Sequence, residues 1–279
     1  MKKKILNTKL LPGQIALFYL GQVGYIIKYN EKYIMIDGYF AGINKWEAKP
    51  EDMWVRSFPA PIAPEELDFV DYIFCSHDHS DHADPVSLPK FAQAAPKATF
   101  YASAAFTDSL VAYGVPADRI VPLHAALSDS KPVTLCDGIT VTPIPSAHEQ
   151  LHQDENGDFD ALGFKFAFGD ITLYHGGDGC PYAELEAAVA GSDILMLPIN
   201  GRDFYRTQTQ NIIGNFDCRE AAVFAKHVGA KLLIPTHFDM FSIDGINPAH
   251  FVDILNFHNP TQSFHIFRPG EKYIYDGML

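Results

Sequence analysis

Residues 70–85 read VDYIFCSHDHSDHADP, and the organisation of the chain can be worked out from them. The first six form a strand-like apolar run ending at Cys75. The next seven crowd His77, His79, Asp81 and His82 into one turn. The chain holds 12 histidines, so three within six positions, beside carboxylates and after a buried strand, are not explained by core packing. Neutral imidazoles and carboxylates ligate divalent cations of borderline or hard character. In a turn after a strand, alternate residues converge on one point while their neighbours aim at another. His77 and His79 therefore suit one ion, and Asp81 and His82 an adjacent one.

Working outward, the same grammar recurs. TVTPIPSAH ends in His148, ITLYHGGD in Asp178 and AKLLIPTH in His237. Each candidate follows an apolar run, which places all of them on one sheet edge, where layered α/β proteins bind ligands. Strands are predicted at 15–20, 23–29, 32–37, 70–75, 140–145, 171–174, 193–198 and 231–235. Helices are predicted at 85–94, 104–113 and 181–190, and from Asp217 to Gly229, where Glu220 completes a capping box. A meander followed by mixed strands and helices predicts helices covering sheets, in one two-sheet domain over 1–279.

Two long segments break the rhythm. Residues 38–67 carry Trp46 and Trp54 and read as a lid, as an interface between copies in a homo-oligomer, or as an aromatic packing cluster; residues 200–216 read as an active-site loop. Lys45, Arg56, Arg202 and Arg206 fall within these segments and favour a small anionic substrate. Trp54, with Trp46 and Met53, is a candidate apolar wall. Asn215 and Tyr205 are candidate donors over the site. For Asn215, Arg202, Tyr205 and Arg206 the competing reading is a solvated side chain or a surface ion pair.

The composition narrows the partners. The chain has 279 residues, 47% of them hydrophobic, and a formal charge of −13, the wrong sign for a nucleic-acid backbone or an anionic membrane. No apolar stretch reaches the length of a membrane span, and polar residues interrupt the basic start MKKKILNTKLLPGQ. A cytoplasmic location is expected. Cys75, Cys136, Cys180 and Cys218 are too dispersed for a thiolate metal site and read as inert thiols.

HDHSDH fits the HxHxDH pattern of the metallo-β-lactamase superfamily, and His148, Asp178 and His237 follow in that superfamily's ligand order. The resemblance extends from FYLGQVGYIIKYNEKYIMIDG to PTHFD. It implies an αββα sandwich of class α/β (α+β), with two mixed sheets face to face and a dinuclear site at one sheet edge. His77, His79 and His148 would hold one metal, Asp81, His82 and His237 the other, and Asp178 would bridge. The ions would be Zn²⁺, Mn²⁺ or Fe²⁺. A hydroxide bridging them would be the nucleophile, with Asp81 or Asp178 moving a proton to the leaving oxygen and Asn215 as an added donor. The FYLGQVGYIIKY start, the aromatic insert after Asp37, YHGGD and PTHFDMF resemble the branch that contains L-ascorbate-6-phosphate lactonase. A lactonase-like hydrolase is the first reading; a phosphodiesterase or phospholipase D-type hydrolase, a di-iron oxidoreductase and a non-catalytic metal-stabilised module are the others. Asp37, His152 and His175 are candidates for supporting a ligand from behind.

Overall fold

The run QIALFYLG at 14–21 is buried along almost its whole length, and this explains the layering. Ile15, Leu17 and Tyr19 enter one apolar cluster, while Ala16, Phe18 and Leu20 enter another on the opposite face. A strand covered on both sides reads as a continuous apolar run rather than an alternating one. The computed structural model describes residues 1–42 and 54–278, so Lys45, Trp46 and Met53 lie outside the described residues.

The strands are β1 (Gln14–Gly21), β2 (Gly24–Tyr29), β3 (Lys32–Ile36), β4 (Tyr72–Phe74), β5 (Thr99–Ser103), β6 (Ile120–Leu123) and β7 (Val133–Cys136), followed by β8 (Ile139–Pro145), β9 (Leu162–Phe168), β10 (Ile171–His175), β11 (Ile194–Pro198), β12 (Leu232–Thr236) and β13 (Lys272–Asp276). They form a seven-stranded sheet in the order β13-β1-β2-β3-β4-β5-β6 and a six-stranded sheet in the order β12-β11-β10-β9-β8-β7. Both are mixed. β3 to β6 are parallel and the rest of the first sheet antiparallel; β10 to β12 are parallel and β7 to β10 antiparallel.

The sheets meet across a core that joins Leu17, Ile27, Ile36 and Phe74 to Val141, Phe164, Phe166 and Leu173. Helices α1 (Lys2–Leu6), α2 (Leu88–Ala94) and α3 (Thr107–Ala112) cover the outer face of the first sheet through Ile5, Leu88, Phe91 and Leu110. Helices α4 (Leu185–Val189), α5 (Cys218–Val228) and α6 (Pro248–His258) cover the second through Leu185, Phe224 and Phe251. This is the αββα arrangement the resemblance implied. Among the described residues no helix is long and apolar enough to cross a membrane.

The cap at Asp217 forms as expected: Oδ1 accepts from Glu220 N at 2.7 Å, Glu220 Oε2 accepts from Asp217 N at 2.9 Å, and Gly229 ends α5 in the left-handed conformation. Other expectations change. The helix expected at 181–190 is confined to Leu185–Val189, and 104–113 opens as a 3₁₀ turn before α3. Five strands, β5, β6, β7, β9 and β13, and two helices, α1 and α6, are additions. Several of the added strands are short or lie at sheet edges, where the partner strand rather than local pattern decides the conformation.

Residues 200–216 are not structureless, since Tyr205–Thr209 form a π-helical turn. A satellite cluster of Tyr39, Trp54, Ile212, Met240 and Phe241 ties this loop to the flanks of 43–53 and to the chain after β12. Trp54 packs edge-on against Phe241 at 5.2 Å.

Candidate metal centre

Four strand ends deliver the predicted ligands. His77, His79, Asp81 and His82 follow β4, His148 follows β8, Asp178 follows β10 and His237 follows β12. They converge in three overlapping groups of ligand atoms, each group lying within 4.8 Å: His77 with His79 and His148, His77 with His82 and Asp178, and Asp81 with His82 and His237. His148 Nε2 is 3.1 Å from His79 Nδ1. Asp178 lies between the outer groups, with Oδ1 at 3.3 Å from His82 Nε2 and Oδ2 at 3.1 Å from His237 Nε2 and 3.9 Å from His148 Nε2.

The donor set fits divalent cations. His77 Nε2, His82 Nε2 and Asp178 Oδ1 are buried without a hydrogen-bond partner, a costly condition that a cation at their centre relieves. The second nitrogens are already assigned. His77 Nδ1 donates to Ser76 Oγ at 3.0 Å and His82 Nδ1 donates to Asp37 Oδ2 at 2.9 Å, which turns each Nε2 lone pair inward. Asp37 is itself anchored by Ser76 N at 2.8 Å and Ser76 Oγ at 2.6 Å.

Electrostatics divides the site. Burial, reinforced by the neighbouring imidazoles, holds His77 well below the usual histidine range, and burial brings His148 to about 3 against the pull of Asp178. Both are neutral, the state that ligates a metal. Burial also opposes charge on His82 and His237, but Asp178 leads the carboxylates that outweigh it, raising His82 well above its ordinary value and His237 to about 9. Burial would raise Asp178; His237 and His82 instead hold it well below the usual carboxylate range. Without a cation, the second group retains protons where positive charge is needed.

Three residues of the site carried no sequence signal. Gln22, in the β1–β2 turn, donates Nε2 to Asp81 Oδ2 at 3.0 Å and accepts His237 N on its carbonyl at 2.8 Å. Asp244 sits 3.7 Å from His237 Nδ1 and accepts from Asn200 Nδ2 at 2.9 Å and Arg206 Nη1 at 3.0 Å. Ser76 links Asp37 to two histidines. Backbone strain gathers here too. Among the described residues, Gln22, Asp37, Glu149 and His237 are four of seven non-glycine residues with positive φ.

A cleft of about 290 Å³ opens over the centre, floored by His79, Asp81, His148, Asp178, His237 and Asp244 and walled by Trp54, Gln210, Asn211, Ile212 and Ile213. The other expected substrate contacts and Asn215 do not line it. Arg56 is buried and donates to the carbonyls of Phe58, Tyr39 and Leu20 at 2.8, 2.5 and 2.8 Å. Arg202 pairs with Glu220 and contacts Cys180 Sγ at 2.7 Å; Arg206 pairs with Asp203 and Asp244. Asn215 is fully buried, with Nδ2 donating to Asn200 Oδ1 at 3.1 Å, and Tyr205 is largely exposed. His175 Nε2 donates to Val23 O at 2.7 Å inside the sandwich, and His152 forms a surface pair with Asp160.

Comparison with known proteins points the same way. A UPF0173 metal-dependent hydrolase of Caldivirga maquilingensis is 25% identical over 222 residues, 79% of this chain and 87% of that protein. One of Chloroflexus aurantiacus is 28% identical over 235 residues, 79% and 87% of the two. The crystal structure of an isothiocyanate hydrolase from Delia radicum gut bacteria superposes with a TM-score of 0.72, covering 94% of this chain and 99% of that one; at 18% identity this likeness concerns the fold. Residues 32–238 match the family described as the Beta-lactamase superfamily domain, and the chain belongs to that family.

Proposed function

We propose that this protein is a metal-dependent hydrolase that uses two divalent cations to open a small ester or lactone. The observation that carries the reading is the pair of three-residue groups, His77/His79/His148 and Asp81/His82/His237, with the Asp178 carboxylate between them. Bound there, two ions would supply Lewis acidity and a water of lowered pKa. The chain's own residues do the rest. Asp37 and Ser76 fix the rings of His82 and His77, Gln22 orients Asp81, and Asp244 faces the outer nitrogen of His237. The carboxylates of Asp81 and Asp178 face the cleft and can carry the proton that the leaving oxygen requires. Trp54, Ile212 and Ile213 shield one side of the reacting centre from water.

The resemblance to lactonase-like relatives supports a lactone as the first bond to assay. A phosphodiester is the second reading, supported by the same pair of groups, since two adjacent cations also suit in-line displacement at phosphorus. The test is metal content per chain beside turnover on lactones, carboxylic esters and phosphodiesters. The expected result is about two ions per chain, with both lost from Asp178→Ala together with all turnover. Full activity in that variant would end the bridging role. Substoichiometric metal unchanged in His79→Ala would leave a non-catalytic module in front.

A further inference from the structure

The cleft wall has a chemical bias that the histidines do not share. The part a substrate's body would touch is made of Trp54, Ile212 and Ile213, with the carboxamide-bearing Gln210 and Asn211 among them. Among the described residues no lysine or arginine lines the cleft, whereas Asp81, Asp178 and Asp244 do. The nearby arginines are committed elsewhere: Arg56 to three carbonyls, Arg202 to Glu220, and Arg206 to Asp203, Asp244 and Asn200 O.

A phosphate or carboxylate on the substrate needs a partner once it leaves water, and a guanidinium fork is the usual one. Here every such fork near the cleft is occupied by protein. Asp81 and Asp178 would offset part of the charge of divalent cations held there, and Asp244, paired with Arg206, brings no free cation to the cleft. The volume, about 290 Å³, is at the lower end for ligand sites and suits a compact molecule rather than a lipid or an oligonucleotide. Ile213 is 40% exposed at the rim, an apolar lip where an anion-binding cleft would carry a cation.

We infer that the substrate class is a small, uncharged ester or lactone with a compact apolar portion, gripped by Trp54, Ile212 and Ile213 and oriented by the Gln210 and Asn211 carboxamides. This rests on the hydrolase reading above and departs from the anionic substrate that the cation count in the sequence favoured. The wall residues determine specificity; the floor determines chemistry.

The test uses two esters of the same leaving group, p-nitrophenyl hexanoate and mono-p-nitrophenyl adipate, which differ chiefly in a methyl against a carboxylate too remote to attack its own ester. They are assayed with the metal-loaded protein, and a chelator-treated control removes background turnover. The expected result is a kcat/KM about ten- to a hundredfold higher for the neutral ester, nearly independent of ionic strength. Ile213→Arg should narrow that ratio by improving the charged ester while metal content stays unchanged. Equal or greater kcat/KM for the charged ester in the unmodified protein would overturn the inference. If neither ester turns over while metal is bound, the hydrolase reading fails separately. The intact esters are then ligands for calorimetry, where tighter binding of the neutral one upholds the inference and equal or tighter binding of the charged one overturns it.

Discussion

Asp37 occupies the residue after β3 with φ of +45°, a conformation that costs a non-glycine residue energy. The compensation is local. Its carboxylate accepts from Ser76 N, Ser76 Oγ and His82 Nδ1, three bonds to a fully buried group. Asp37→Asn keeps the volume but exchanges an acceptor oxygen for a donor nitrogen, so the His82 ring loses its fixed tautomer. Metal affinity should fall by about 10- to 100-fold, measured by competition with a chromophoric chelator, while far-ultraviolet circular dichroism stays unchanged. Unaltered affinity would mean that His82 is held by its other neighbours. Asp37 was visible in the sequence as a strand-terminal acid; its partner Ser76 was hidden because a serine beside a histidine carries no signature. His77, His79, Asp81 and His82 were legible because four potential ligands, three histidines and an aspartate, within six residues leave few alternatives.

At the scale of elements, the turn after β10 shows how backbone positions chemistry. Gly177 lies in the left-handed region with φ of +56°, and a Cβ there would sit 2.9 Å from Ser76 Cβ. The glycine therefore lets the Asp178 turn approach the turn after β4 closely enough for Asp178 to reach both His82 and His237. Gly177→Ala combines an unfavourable φ with a contact no side-chain rotation relieves. It should cost on the order of 2 kcal/mol of stability, seen in urea unfolding, and should lower metal retention as Asp178 is displaced. A variant with unchanged urea midpoint and metal content would show that the two turns can separate without consequence. The loop 200–216 illustrates the opposite case. Its composition was read as a substrate-binding loop, but Arg206 turns inward to Asp244 and Asn200, while Gln210, Asn211, Ile212 and Ile213 take the wall. Local sequence does not specify that inversion, because Asp244 lies 38 residues beyond Arg206.

For the whole molecule, the site is where two sheets and both flanking loops meet, so metal and fold are thermodynamically linked. At free metal about 100 times the Kd, binding contributes about 2.7 kcal/mol, which in a chain of this size raises Tm by roughly 5–10 °C. Removing metal with a chelator should lower Tm by that amount and restoring Zn²⁺ or Mn²⁺ should reverse it; an unchanged Tm with metal demonstrably gone would break the linkage. The sequence by itself determined the layered class and the candidate ligands, because burial of β1 to β3 on both faces imposes continuous apolar runs and because the residues that converge at the candidate centre directly follow the strands β4, β8, β10 and β12. Only the tertiary structure decided the surroundings of those ligands. Gln22 reaches Asp81 across 59 residues and His237 across 215, β13 joins β1 from the far end of the chain, and the arginines choose carbonyls and carboxylates over the cleft. Each of these depends on which distant groups share a buried space, and spacing along the chain does not encode that.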